Sequence, residues 1–512
     1  GVCMNQRKAG IVLSYVYTAV HGIANLLYIP ILLNRIGQNE YGLYQLVGSL
    51  ISYLSMTESL LSTGVLRYYC KYNSIGDEQK KENVLAISKR IYKILSLIVA
   101  IVGIICIFVF KVAYESSLTK HEMTEAIIML LVLIIIIILN LINAVYTAAI
   151  TANERFVFLK ILSISTTLLQ PIAVLLVIEK MPHAISVVVV QLSMCIFSQI
   201  VIRFYGANKL NIKIKYHYKD NQFKRDLFAL SFSILLVVIA DQIFWKTDQL
   251  IIGKMLGTAA VAVYSVGSQI YLNYSPIGTA ISSVFMPRLS KLLDQENNME
   301  EVSKLFIKVG RISFIILSAV LVGFVLYGKE FISIWAGTDY IDAYYVAIVI
   351  MIPLTVDVMQ NMGLTVLQIK GNYGFRGKVY LSIAVLNIIA TIYLVQQLGI
   401  IGAAISTSIA MAIGNGFIMN VYYAKKVGLN IKKFWKEIAT ILPSTFVCLL
   451  LGLLIKQINI RVALIDFCIH ILLFGIVYII IMHGLAFNEY EKQLTKELAA
   501  KIWRIDKVKG DK

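Results

Sequence analysis

Charge is scarce in this chain. Of 512 residues only 15% are Asp, Glu, Lys or Arg, against 58% hydrophobic residues. Soluble domains carry about 25% charged residues, so an ordinary cytosolic enzyme and a disordered chain are both excluded. Cysteine is also sparse. The six, Cys3, Cys70, Cys106, Cys195, Cys448 and Cys468, form no CxxC pair and lie mostly in apolar runs. They read as small hydrophobes, without a disulfide framework or a Cys/His zinc site. The sequence holds no GxxxxGK[ST], HExxH or GxSxG motif, which removes a nucleotide-driven motor, a zincin and a serine hydrolase of the elbow type. No catalytic residue, metal or cofactor is expected.

What is present is a series of apolar runs. A spanning helix needs about 20 mostly apolar residues, and fourteen stretches qualify: roughly 9–33, 42–65, 91–113, 124–149, 157–178, 184–205, 227–252, 258–284, 311–328, 342–367, 378–396, 401–424, 437–455 and 462–484. The first follows Arg7-Lys8 as a signal peptide would, but its run to about Leu33 is of spanning length. The sequence therefore reads as an all-α polytopic membrane protein with about 14 transmembrane helices.

The net charge of +18 would suit a nucleic-acid binder, but the placement of the cations says otherwise. With the N-terminus in the cytoplasm, only Arg35, Lys111, Lys120, Lys180, Lys254, Lys329, Lys456 and Arg461 fall outside, and Lys246 falls within a span. The remaining 38 of the 47 cations fall inside, as the positive-inside rule requires. A miscounted span would scramble this alternation. The expected location is a cytoplasmic (inner) membrane with both termini cytoplasmic and no nucleic-acid partner.

An internal repeat of about 220 residues divides the chain. Ile36-Gly37 matches Leu256-Gly257, Tyr44 matches Tyr264, Gly48-Ser49 matches Gly267-Ser268, and Arg67 corresponds to Arg288. Asn153, Phe156 and Leu162-Ser163-Ile164 match Asn372, Phe375 and Leu381-Ser382-Ile383. The repeat unit has six spans, an even number, so the two halves share one orientation. Transporters built this way bind substrate at the repeat interface and rock the halves alternately. The expected organisation is a six-helix lobe at 1–206, a basic cytoplasmic linker at 207–226, a second six-helix lobe at 227–424, an extra helix pair at 437–484 and a cytoplasmic tail at 485–512.

Ionisable groups inside spans are costly and mark function by default. Span two carries Glu58 within the polar stretch Ser55 to Ser59. Span seven carries Asp241 and Asp248, seven apart and so on one face, together with Lys246. Span ten carries Asp357 after Pro353 and before Gln360-Asn361, which reads as a broken helix whose freed backbone groups need partners. Span one carries His21 and Asn25, also on one face, and span fourteen carries Asp466 and His470. Asp248, Asp241 and Asp357 are candidates for binding a coupling cation. Glu58, His21 and Asn25 are candidates for lining a substrate path. Arg67, Arg155, Arg288 and Arg376 sit at inner ends of spans, where planar guanidinium groups suit a phosphate. Orientation and contact with anionic lipid account for any single one of these cations more readily, and the repeat-related Arg67 and Arg288 are the better phosphate candidates.

Five stretches carry a family likeness. They are Ile36-Gly37-Gln38-Asn39-Glu40-Tyr41-Gly42-Leu43-Tyr44, Thr63-Gly64-Val65-Leu66-Arg67-Tyr68-Tyr69, Ala152-Asn153-Glu154-Arg155-Phe156, Asp248-Gln249-Leu250-Ile251-Ile252-Gly253 continuing through Leu256-Gly257 to Val263-Tyr264-Ser265, and Phe331-Ile332-Ser333-Ile334-Trp335-Ala336-Gly337 with Tyr340 and Ala343. Their order and spacing, across nearly the whole chain, resemble Wzx-type oligosaccharide/polysaccharide flippases of the multidrug/oligosaccharidyl-lipid/polysaccharide (MOP) exporter superfamily. The resemblance implies a MATE-like fold of two six-helix lobes plus two extra C-terminal helices. It implies movement of an undecaprenyl-pyrophosphate-linked glycan from the inner to the outer leaflet of a bacterial membrane, driven by H+ or Na+. Membrane lipids, a polysaccharide polymerase and other assembly proteins are the partners it implies. Relatives that flip peptidoglycan precursor carry arginines within the first helix, where this chain has His21 and Asn25. The rival readings are a cation-coupled multidrug exporter, a flippase for peptidoglycan or teichoic-type precursors, and a membrane glycosyltransferase. The short outer connections disfavour the last.

Overall fold

The computed structural model describes residues 2–293, 298–370, 373–458 and 463–497. Arg461, Asn372 and the tail from 498 onward lie outside the described residues. Among the described residues all regular structure is helical: α1 (Val2–Ile36), α2 (Gln38–Ser55), α3 (Thr57–Leu60), α4 (Ser62–Ile75), α5 (Glu78–Tyr114), α6 (Lys120–Ala152), α7 (Phe156–Ile178), α8 (Ala184–Phe204), α9 (Asn221–Leu256), α10 (Thr258–Leu293), α11 (Met299–Trp335), α12 (Ala343–Met359), α13 (Asn361–Ile369), α14 (Tyr373–Leu398), α15 (Ile400–Met411), α16 (Met419–Tyr422), α17 (Ile431–Ala439), α18 (Leu442–Ile455) and α19 (Ala463–Ile481). Ten described helices are long and apolar enough to cross a membrane, or eleven when the bent pair α12–α13 is taken as one span.

All fourteen apolar stretches fall on helix, so a count of fourteen crossings is compatible with the structure. Spans two and eight are too polar for the apolar set. Span two is interrupted at Met56 and Leu61 and carries Glu58. Span eight carries Ser265, Ser268, Gln269, Asn273 and Ser275 ahead of Pro276.

Local chemistry sets the helix boundaries. Thr119 and Glu122 form a reciprocal capping box at the start of α6, which satisfies two of the orphan N–H groups there. Asp77, Asp220 and Asn430 each accept a backbone N–H three residues on and so open α5, α9 and α17. The Lys80 N–H and ammonium also hold the Asp77 carboxyl below its ordinary range. Along α5, Ile94, Leu97, Ile101, Ile105 and Phe108 are exposed while Tyr92, Ser96, Val99 and Gly103 are buried. A wide exposed apolar face on a helix of this length is a lipid-facing surface.

Packing divides the chain into two compact units, residues 1–265 with 380–403 and residues 266–379 with 404–512. In the first, α5 packs on α6, α1 on α7, and α6 on α8, while α9 packs on α2 and α4. These units differ from the lobes drawn by the repeat, because α9, which opens the second lobe in sequence, buries one face against helices of the first unit. The segment 207–226 is docked there too. His217 lies 2.7 Å from Glu82, and the His217 and Tyr218 N–H groups donate to Asn83. In the second unit α11 is the central helix, contacted by α12, α17, α18 and α19.

Two helix junctions share one backbone geometry. Gly37 (φ 85°, ψ 171°) joins α1 to α2, and Gly257 (φ 86°, ψ 179°) joins α9 to α10. Only glycine adopts that region readily. Close approach matters more at Gly42: a Cβ there would lie 1.8 Å from the Thr258 carbonyl oxygen. That atom is backbone and cannot rotate aside. Gly42→Ala is therefore expected to lower the thermal unfolding midpoint in detergent sharply, beyond the roughly 1–3 kcal/mol of ordinary overpacking. Gly48→Ala, one helix turn and a half further on with open space around it, is expected to be neutral or stabilising.

Candidate functional site

The polar groups of the first unit begin with the break in span two. Its hydroxyls occur at a spacing that lets each bond back to a carbonyl three residues earlier: Ser52 to Ser49, Ser55 to Ser52, Thr57 to Leu54, Ser59 to Met56 and Ser62 to Ser59. Such back-bonding competes with the helical ladder and bends helices. Glu58 sits at this break. Both of its carboxylate oxygens accept from the Asn140 amide at 3.2 and 3.3 Å. The Asn140 carbonyl in turn accepts from Gln199 at 2.7 Å and from the Cys195 thiol at 3.3 Å. A carboxylate, an amide and a second amide thus link spans two, four and six. Asn140 and Gln199 were not singled out from sequence, although an asparagine after five isoleucines and a leucine is itself a signal.

A second polar cluster lies on α9, α10 and the 380–403 part of the unit. Asp248 is 2% exposed. One of its oxygens accepts from the Tyr264 hydroxyl at 2.6 Å and the other from Thr391 at 3.2 Å. Beside it, Gln249 accepts from Ser49 and donates to Ser265 at 3.1 Å. Tyr53 pairs with Thr247 at 2.6 Å. Buried Asn387 sits one turn before Thr391, 3.5 Å from it. The arrangement gathers oxygen atoms around one buried carboxylate, the donor set that hard cations prefer. Asp241, on the same helix face, is exposed; the two carboxylates therefore sit in different surroundings.

In the second unit the helix is broken where Asp357 and Gln360 occur, with α12 and α13 bent by 45°. Gln360 and Asn420 exchange amide hydrogen bonds at 2.8 and 3.1 Å, and the Trp435 indole donates to the same Asn420 oxygen at 3.0 Å. Asp357 lies 3.8 Å from Arg376. The sequence placed these two residues in separate groups; the fold makes them an ion pair.

The remaining candidates are more open. Arg67 and Arg288 are exposed at helix ends, and Arg155 is half-buried. Next to Arg67, the Tyr68 hydroxyl donates to Asp226 at 2.6 Å. That bond is lost when the phenol ionises, which pushes Tyr68 up to about 12. His21 and Asn25 meet at 3.3 Å on an exposed face of α1. His470 contacts Asp466 at 3.7 Å and bonds the Ile458 carbonyl at 2.8 Å, and its ring stacks on Tyr327. Two features escaped the sequence altogether. One is Arg311, counted there only as an inner cation, which is buried in a dense network. The other is the convergence of His121, Glu125 and His183.

Residues 36–345 match the model of the family described as Polysaccharide biosynthesis protein. The chain is 23% identical over 395 residues to a Shigella flexneri protein assigned as an O-antigen transporter, covering 76% of this chain and 92% of that one. It is 22% identical over 275 residues to the capsular polysaccharide biosynthesis protein CapF of Staphylococcus aureus, covering 52% of this chain and 68% of that one. Its fold is similar to that of the lipid II flippase MurJ, with a TM-score of 0.72 at 17% identity over 92% of this chain and 98% of the other. It is also similar to a multidrug resistance MATE family transporter of the MOP superfamily, with a TM-score of 0.60 at 15% identity over 80% of this chain and 95% of the other. The chain belongs to the polysaccharide biosynthesis protein family, as a multi-pass membrane protein.

Proposed function

We propose that this protein flips an undecaprenyl-pyrophosphate-linked oligosaccharide, the repeat unit of a surface polysaccharide, from the inner to the outer leaflet of a bacterial cytoplasmic membrane. Both termini face the cytoplasm. The observation that carries the reading is the family match over residues 36–345, joined to a similarity that spans 92% of an assigned O-antigen transporter. The two repeat-related lobes, 1–206 and 227–424, work by alternating access, with 437–484 as an added helix pair. Transfer of a pyrophosphate into hydrocarbon is prohibitive without compensating groups. Arg67, Arg288, Arg155 and Arg376 supply cationic donors, and Glu58, His21 and Asn25 supply polar contacts for sugar. Binding of H+ or Na+ at Asp248, with Asp241 and Asp357 as further carboxylates, biases the two arrangements through differential affinity. A polysaccharide polymerase receives the flipped product.

The direct test is translocation of a defined lipid-linked oligosaccharide in proteoliposomes, with and without H+ or Na+ gradients. Accelerated, gradient-dependent translocation is expected. Efflux of cationic dyes without glycan movement would instead favour the drug-exporter reading. Arg67 is exposed, so Arg67→Ala is expected to leave protein levels unchanged. A lost charge-assisted hydrogen bond of about 1.5–3 kcal/mol predicts a drop in glycan flipping of about ten- to a hundredfold. Unchanged flipping removes Arg67 from the substrate path.

A further inference from the structure

At the end of the first unit that carries residues 35–40, 111–120 and 179–183, three metal-ligating side chains converge. His121 and Glu125 are one turn apart on α6, and His183 caps α8. One ligand atom from each lies within 4.8 Å of the others. Glu125 Oε1 is 3.2 Å from His183 Nδ1, Glu125 Oε2 is 3.9 Å from His121 Nδ1, and the two imidazole rings are 5.8 Å apart.

Glu125 is 6% exposed, yet its Oε2 has no hydrogen-bond partner among the described residues, and neither has His183 Nδ1. The carboxylate and imidazole face each other closely without the alignment of a hydrogen bond. A buried carboxylate oxygen left in that state costs free energy. Its neighbour Glu122 is fully committed, to the cap of α6 and to Thr258. Glu40 adds a second negative charge: its Oε1 lies 3.6 Å from His183 Nδ1, while its Oε2 accepts the Ala184 N–H at 2.7 Å. Among the described residues no Lys or Arg pairs with either carboxylate within 4.0 Å, and the imidazoles of His121 and His183 are the groups that face them.

We propose that His121, Glu125 and His183 bind one divalent cation of the zinc class, with Glu40 balancing its second charge. Two imidazoles and a carboxylate are an established zinc donor set, and imidazole selects such metals over magnesium and calcium. Zinc bonds of about 2.0–2.1 Å place tetrahedral ligands about 3.3 Å apart. Inward side-chain rotation of about an ångström closes the present cluster to that size. The bound ion ties the starts of α2, α6 and α8 together at one end of the bundle.

The test uses tag-free, full-length protein in detergent, equilibrated with zinc chloride and desalted. About one zinc per chain is expected by elemental analysis. His121→Ala and His183→Ala should each weaken zinc binding by at least about tenfold, measured by chelator competition, while His217→Ala at the distant Glu82 pair should not. Cobalt added to the unsubstituted protein should give the intense visible bands of four-coordinate nitrogen–oxygen ligation, a readout that does not depend on any variant folding. Failure to retain zinc, equal binding by the His121→Ala/His183→Ala double variant, or a pale octahedral cobalt spectrum would each overturn the proposal. So would stabilisation that follows pH alone in metal-free buffer, which would mark His183 as a protonated bridge between the two carboxylates.

Discussion

Arg311→Ala is expected to destabilise the protein by about 3–5 kcal/mol, the cost of removing one partner from a buried ion pair. Arg311 is 3% exposed on α11, and its guanidinium uses donors on all three nitrogens. Nε donates to Glu491 at 2.8 Å. Nη2 donates to the other Glu491 oxygen at 3.0 Å and to the Ala486 carbonyl at 2.9 Å. Nη1 donates to the Glu437 carbonyl and to Thr440, each at 2.9 Å, and lies 3.3 Å from the Glu437 carboxylate. Glu491 is itself 5% exposed. Asn488 and Glu491 also cap each other reciprocally, at 2.8 and 2.9 Å.

One side chain therefore fastens the 482–491 segment and α17 to the central helix of the second unit. Its removal leaves the buried Glu491 carboxylate without its countercharge and takes a donor from the Ala486 carbonyl. Arg311→Lys should recover little, because a single ammonium cannot reproduce the planar fork. In a double-mutant cycle, Glu491→Gln should cost much less in the Arg311→Ala background than alone, since the orphaned charge has then gone. Thermal unfolding of purified protein and the yield of folded protein in membranes measure both effects. A midpoint for Arg311→Ala within a degree or two of the parent would refute this account of the network.

The spans were legible because lipid selects composition over long windows, and a run such as 124–149 declares itself without tertiary information. The same holds for the junction glycines: Gly37 and Gly257 matched as letters and share one strained conformation. Partner choice was not legible. Asp357 and Arg376 belong to different spans, and nothing in their spacing says that they meet. Glu58 stood out as a charge, but Asn140 and Gln199 became its chain of partners only when α3, α6 and α8 packed. Arg311 looked like any other inner cation, because positive-inside counting does not distinguish a solvated arginine from a buried one. His121 and Glu125 had helical spacing, but His183 is about sixty residues away and reaches them only through the fold. Even the interruption of span two was written as a polar stretch, and the back-bonding of its hydroxyls needed coordinates to become a bend.

Asp248→Asn is expected to cut gradient-driven glycan flipping by about 5- to 150-fold, the range that a coupling free energy of 1–3 kcal/mol produces, with little change in stability. The Asn side chain keeps the shape and retains an acceptor for Tyr264 or Thr391, so the buried contacts at 2.6 and 3.2 Å are only partly lost. What disappears is the negative charge. A carboxylate 2% exposed at membrane depth is costly to keep ionised, and a bound cation offsets that cost in whichever arrangement holds it. Without the charge, a cation binds both arrangements equally poorly and shifts neither. Flipping down the substrate's own gradient should then persist, while the added effect of an H+ or Na+ gradient vanishes. Asp248→Ala separates charge from packing, because it also removes the acceptor that the Tyr264 and Thr391 hydroxyls share and should lower the unfolding midpoint. If Asp248→Asn translocates glycan with the same gradient dependence as the parent, Asp248 is a packing residue and the coupling cation binds elsewhere, with the Asp357–Arg376 pair next to be tested.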